Sequence, residues 1–365
     1  MTSAADEPPA SSTPAVTAEG EAFPSPPRRL HYVDVPTPAA GQNVMLVPGV
    51  HWARIPLPLD LNHINVWLLD TDRGCVVVDT GMAASIGKEA WESIEREHFA
   101  RLPLRAVFVT HIHPDHIGLA AWLQERHGVP VLMSERTYDW ARRLLGGEGR
   151  ARAEAIQTFF SSHGLSDTTQ VQAIFQPERI ARMASGLPRV EQSIADSQVV
   201  RWGENQWTAL ETNGHAEGHL CLSNPALRVL ISGDQVLPTI SSNISFMVGS
   251  NDPNPLGSYL SSLQRLRGLD EDTLVLPAHG VPFYGLRQRI DDLTGHHMEQ
   301  LDKLTAACAE PKLAVEVLPL MFRRELKGMH LVLAMGEALA HLEYLVHAGR
   351  LHRERVADRI RYVRL

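Results

Sequence analysis

Cysteine is scarce in this chain. Cys75, Cys221 and Cys308 are the only three in 365 residues, and each sits in apolar sequence. A disulfide framework is therefore excluded, and buried thiols in a reducing compartment are the simpler reading. Aromatic residues make up only 6%, which leaves little for a base-stacking platform. No run approaches the roughly 20 apolar residues of a membrane span, so no membrane partner is expected. The first residues lack the basic start and apolar stretch of a signal peptide. The cytoplasm follows as the default location. Positive charge is also short: the formal net charge is -8 and the pI is near 6.1, so general attraction to nucleic acid or anionic lipid is not expected.

What is present is a globular chain, 44% hydrophobic and long enough for one large or two ordinary domains. Residues 1–29, rich in Ala, Pro, Ser and Thr, read as disordered, and a disordered or extended tail runs to residue 42. Val44–Val47, Asn65–Leu69 and Cys75–Val78 read as strands, a helix is expected over 83–98, and Ala106–Thr110 is a short buried strand. Further strands are expected at Gln198–Val200, Trp207–Glu211, His219–Leu222, Val229–Ser232 and Thr273–Leu276, with helices at Gly118–Arg126 and Pro255–Gly268. Residues 134–195 read as a helical insertion, a lid or pocket wall on one reading and plain packing on the other. This α/β alternation over 43–285 fits a sandwich of two mixed sheets with outer helices. Over 286–365, three helices and a β-ribbon suggest a small winged-helix domain.

The densest chemistry is Thr110-His111-Ile112-His113-Pro114-Asp115-His116 at the end of an apolar strand. His111 and His113 are two apart, so both imidazoles can point the same way. Imidazole and carboxylate together suit zinc, manganese or iron. Three more ligand-type residues follow strands in Gly-containing turns: His215 after Gly214, Asp234 after Gly233, and His279 before Gly280.

The pattern His-x-His-x-Asp-His, followed by His215, Asp234 and His279, resembles the metallo-β-lactamase superfamily over about residues 44–285, and Val78-Asp79-Thr80-Gly81 matches its first motif. The resemblance implies a four-layer αββα sandwich. It assigns His111, His113 and His215 to one divalent ion and Asp115, His116 and His279 to a second, with Asp234 bridging. Asp79 would order the loops by hydrogen bonds rather than bind metal. Two ions, zinc first with Mn2+ or Fe2+ as alternatives, would bridge a water and lower its pKa, and Asp115 would orient the resulting hydroxide and shuttle a proton. One departure is Glu217, where relatives carry Pro in His-x-Pro-Gly-His. His219 stays open as an alternative ligand to His215.

The terminal helices resemble a subgroup with an appended winged helix, whose members are hydrolases and include an endoribonuclease. The leading expectation is hydrolysis of an ester-like bond, thioester or lactone, in a small-molecule substrate. The alternative is a ribonuclease or phosphodiesterase that holds nucleic acid through Arg350, Arg353, Arg355, Arg359, Arg361 and Arg364. A DNA-reading regulator is disfavoured, because the helix 329–348 is mostly apolar. The terminal helices also suggest a homodimer. Tyr259 and Tyr284 are the candidates for a leaving-group acid, with packing as the plainer role. His63, Asn65 and the pair His296-His297 are further polar marks with plain structural explanations.

Overall fold

The computed structural model describes residues 30–365, apart from 146–148, 175, 177, 178, 180 and 181. The reading of residues 1–29 as a disordered tail lies outside the described residues. Two β-sheets stack face to face. The first runs in the order β2 (Asn43–Val47), β3 (Val50–Pro56), β4 (His63–Thr71), β5 (Gly74–Val78), β6 (Leu104–Phe108), β7 (Val131–Leu132). The second runs β1 (His31–Tyr32), β13 (Phe283–Tyr284), β12 (Leu274–Pro277), β11 (Val229–Gly233), β10 (His219–Asn224), β9 (Asn205–Thr212), β8 (Val199–Trp202).

Period-two alternation builds the layers. In β3 and β4, Trp52 and Trp67 face the second sheet and meet Trp207, Leu220 and Ile231 there. Ile55, Ile64 and Leu68 face outward, under Trp91 of α1 (Ser85–Ile94) and Leu123 of α3 (Ala120–His127). The outer face of the second sheet, with Leu230 and Val275, is covered by α7 (Pro255–Leu266) through Tyr259 and Leu263. The result is helix, sheet, sheet, helix. Each fully buried Leu or Trp of this kind contributes about 1.5–3 kcal/mol relative to exposure.

The insertion forms α4 (Glu135–Leu145), α5 (Gly149–Ser162) and α6 (Thr169–Ile174). The C-terminal segment forms α8 (Leu286–Ala307), α9 (Ala314–Met321), α10 (Gly328–His347) and the ribbon β14 (Leu351–Val356) with β15 (Arg359–Arg364). These helices do not enclose a core of their own. Ile156 and Phe160 of α5, Leu339 and Leu345 of α10, and Tyr362 of β15 share one hydrophobic cluster with the outer face of the second sheet.

One expectation needs correction, and one strand had no sequence assignment. Residues 30–42 are not all tail: His31–Tyr32 pair with β13, and Ala40 bridges to Arg54. Val50–Pro56, unassigned from the sequence, is a central strand paired on both sides. Its Arg54 and His51 sit among buried apolar residues and hide the pattern.

β5–β6 and β11–β12 are parallel pairs, and a helix covers each crossover. In such sheets the ligand site forms beyond the carboxyl ends of the strands. β5, β6, β9, β11 and β12 all end at one edge, where Leu220 N donates to Thr110 O (2.9 Å) and Asn65 N to Ala278 O (2.7 Å), tying the sheets together.

Candidate metal centre

Beyond β6 the chain turns at His113 into the short helix α2 (Pro114–Ile117). The turn folds the four ligand-type side chains of the motif back over the strand end. His111 Nε2 lies 2.9 Å from His113 Nδ1 and 3.2 Å from His215 Nε2. On the other side, His279 Nε2 lies 3.3 Å from Asp115 Oδ2, and His116 Nε2 lies 3.8 Å from the same oxygen. Asp234 stands between the groups. Its Oδ2 is 3.4 Å from His215 Nε2, and its Oδ1 is 3.5 Å from His116 Nε2 and 3.6 Å from His279 Nε2. All seven residues therefore converge, in two sets whose ligand atoms lie within 4.8 Å of one another.

Outward nitrogens fix four of the five rings. Thr110 Oγ1 is 3.0 Å from His111 Nδ1, Asp79 Oδ2 is 2.7 Å from His116 Nδ1, Asn243 O is 2.8 Å from His215 Nδ1, and His63 O is 2.8 Å from His279 Nδ1. Such outer bonds set the tautomer and raise the basicity of the inner nitrogen. Asp79 adopts φ 63, a conformation uncommon outside glycine, and also accepts from Thr110 N at 2.8 Å. Gly233 is required next to Asp234: with φ +51, a Cβ there would lie 2.4 Å from His219 Nε2.

Electrostatics prepares the site for cations. Burial, reinforced by His116 and His113, pushes His111 well below the ordinary histidine range. Burial and His215 push His113 down to about 3. Burial opposes the charge on Asp234, yet His116 and His279 hold it well below the ordinary carboxylate range. His116 goes the other way: burial disfavours its charge, but Asp79, Asp234 and Asp115 hold it well above the usual value. His116 Nε2 and Asp234 Oδ1 are buried without a hydrogen-bond partner. Orphaned donor atoms converging from imidazole and ionised carboxylate fit divalent metal ions, so the cluster is able to bind them.

His219, the alternative ligand, points elsewhere. Its Nδ1 lies 2.9 Å from Thr212 Oγ1 and its Nε2 accepts from Asp234 N at 3.3 Å, which makes it a buried brace. Glu217 does not free its loop: its carboxylate accepts from Asn251 N (2.8 Å), Asn251 Nδ2 (3.0 Å) and Ser250 Oγ (3.0 Å). Tyr259 is fully buried and its hydroxyl donates to Gln235 O, while Tyr284 is exposed on β13. His297 is buried against His341 at 3.1 Å, away from the centre. Asn65 anchors the His279 loop by donating to Pro277 O and Gly280 O, both at 2.9 Å. Asn243 had no sequence signal as a partner of His215. It acts through its carbonyl, which every residue carries, while its Nδ2 reaches Glu337 Oε2 of α10 at 3.3 Å.

Comparisons with known proteins agree with this geometry. The family described as "Metallo-beta-lactamase superfamily" matches residues 59–279, and "Metallo-beta-lactamase-like, C-terminal domain" matches residues 301–365. The fold superposes on a beta-lactamase domain protein from Burkholderia ambifaria with TM-score 0.83 and 39% identity, covering 92% of this chain and 98% of that one. A metallo-beta-lactamase family protein from Thermus thermophilus gives TM-score 0.76 and 29% identity, covering 88% and 100%. The probable metallo-hydrolase YqjP of Bacillus subtilis is 26% identical over 80% of this chain and 90% of its own length. The human acyl-coenzyme A thioesterase MBLAC2 is 28% identical over 63% and 78%. With both segments matched and the cluster assembled at the sheet edge, this chain belongs to the metallo-β-lactamase superfamily of metal-dependent hydrolases.

Proposed function

We propose that the protein uses two divalent ions, zinc being the best match to the donor set, to hydrolyse an ester-like bond, thioester or lactone, in a small molecule. The observation that carries this reading is Asp234, whose two oxygens face different histidine sets at 3.4–3.6 Å. In this reading His111, His113 and His215 would hold one ion and Asp115, His116 and His279 the other, with Asp234 shared between the two sets. When bound, such a pair supplies Lewis acidity and brings a water's pKa towards neutrality.

The chain's own residues do the rest. Asp115 sits at the mouth between His116 and His279, which outweigh the effect of burial and lower its pKa to about 2. It is ionised at working pH and orients the attacking water as acceptor. Thr110, Asp79, Asn243 and His63 keep the rings from rotating. The loop 57–62 and the start of α10 are joined across one flank by His330 Nε2–Asp60 Oδ2 at 3.1 Å, and exposed Leu59, Met329 and Leu333 on them offer apolar surface to an acyl group. MBLAC2's name points to the same bond type.

The nucleic-acid alternative draws less support. Arg350 pairs with Asp302 (2.8 Å), Arg353 with Glu343 (3.0 Å), and Arg359 donates to Ser161 O (2.8 Å), so half of that cationic set is engaged within the fold. The test is turnover of acyl-CoA thioesters, lactones and structured RNA by the zinc-loaded protein. Salt-tolerant cleavage of a thioester or lactone, abolished by a chelator, is expected. RNA cleavage that falls steeply with salt, without turnover of either ester class, refutes the proposal.

A further inference from the structure

A second donor set lies at the opposite end of the first sheet. Asp70 of β4 pairs with Cys75 at the start of β5, whereas Asp79 follows the end of β5, a separation of about 13 Å along the strand. His51 of β3 is opposite Leu68, so His51, Leu68 and Asp70 share the helix-facing side of the sheet. A third donor arrives from above. After α1 the chain continues in a widened helical turn, Glu95–Phe99, closed by Ala100 N to Glu95 O at 3.0 Å. The turn buries both His98 and Phe99, and it lowers His98 onto the two strand residues. Widened turns of this kind recur at functional sites.

The geometry points to a separate metal-binding site formed by His51, Asp70 and His98, suited to a divalent transition metal and to zinc above others. His51 Nε2 is 3.0 Å from Asp70 Oδ2, and His98 Nε2 is 3.6 Å from Asp70 Oδ1. Ligands about 2.0–2.1 Å from a tetrahedral zinc stand roughly 3.3 Å from each other; the two separations, one to each carboxylate oxygen and the shorter also a hydrogen bond, bracket that value, and one donor atom from each residue lies within 4.8 Å of the others. His98 is only 8% exposed, yet its Nε2 is buried with no hydrogen-bond partner, and so is Asp70 Oδ1. Two orphaned atoms aimed at one point call for a shared partner.

Three protein ligands leave a fourth position open. It faces a cavity of about 510 Å3 that Arg96, Arg101 and Glu97 also line. The two guanidinium groups make hydroxide or another small anion the suited fourth ligand. Bound there, the ion would pin the end of α1 to β3 and β4.

The test separates this site from the centre at the sheet edge. In the full chain, His113→Ala, His116→Ala and Asp234→Ala together take one histidine from each donor set and the carboxylate between them, which disables that centre. After equilibrium dialysis against zinc, this triple variant is expected to keep about one zinc per chain and to lose it when Asp70→Asn is added. Circular dichroism checks that both variants are folded. In parallel, His51→Ala/His98→Ala in the otherwise native chain is expected to lower saturating zinc content by about one ion. It should also abolish the absorption bands of one bound Co2+. The inference is overturned if the folded triple variant binds no zinc, if its zinc survives Asp70→Asn, or if the His51/His98 double variant binds as much as the native protein.

Discussion

The two halves of the candidate centre are built differently. His111, His113, Asp115 and His116 come from one strand end and the helical turn that follows it, so four ligand-type groups fall within six residues. His215, Asp234 and His279 come from three separate strand ends of the second sheet, each followed by its own loop. The near half is held by its own backbone and by Asp79. The far half depends on partners distant in sequence: Asn243 for His215, His63 and Asn65 for His279, and a register shift between Ile231 and Gly233 for Asp234. A compact motif needs local geometry alone, whereas a dispersed one needs the whole sandwich to be packed.

The largest effect should come from Asp234, the far-half residue that also faces His116 of the near half. Asp234→Ala is expected to lower kcat/KM by at least about 1000-fold, or roughly 4 kcal/mol of transition-state stabilisation, with His113→Ala similar. Metal content measured beside the kinetics should fall in both. Full activity in either variant would mean that the halves do not act together. Asp79→Asn should cost about 10–100-fold in metal affinity or activity, because it removes the acceptor for His116 in the near half. Titration with a chromophoric zinc chelator reads that loss directly.

In the far half, Glu217→Gln weakens three hydrogen bonds to the 250–251 loop. Thermal unfolding should show a loss of about 1 kcal/mol, with kcat within a few-fold of native. If this substitution harmed catalysis as much as Asp79→Asn, the contrast between the halves would collapse. The last effect appears only as pH is varied. Burial pushes Glu337 up to about 7, against the Asn243 hydrogen bond that lowers it. A carboxyl with a raised folded-state pKa holds its proton more tightly when folded, so its contribution is intact below about pH 4.5 and declines as pH rises to 7. Glu337→Gln should therefore be near neutral at pH 4.5 and stabilising at pH 8. Melting curves at the two pH values check the sign.

Sequence reading reached the near half easily, because a dense His/Asp run after an apolar strand has few structural uses. It also reached His215, Asp234 and His279, each marked by a strand and a glycine. The αββα layering was legible from the alternation of elements. The strand Val50–Pro56 was not, because its polar His51 and Arg54 take part in a donor set and in loop anchoring instead of marking a solvent face. The ring-orienting acceptors of His215 and His279 were equally hidden, since both are main-chain carbonyls. At Glu217, where relatives carry proline, the carboxylate holds the loop with three hydrogen bonds instead.

The Asn243 loop has a consequence for the order in which the protein is made. All seven ligand-type residues have been synthesised by position 279, but the loop that orients His215 rests on Glu337 and on Gly336, whose carbonyl accepts from Phe246 N at 3.0 Å. A chain still emerging from the ribosome thus carries every donor before it can hold them in place. The native orientation of His215 therefore depends on α10, which is synthesised well after the last of the seven.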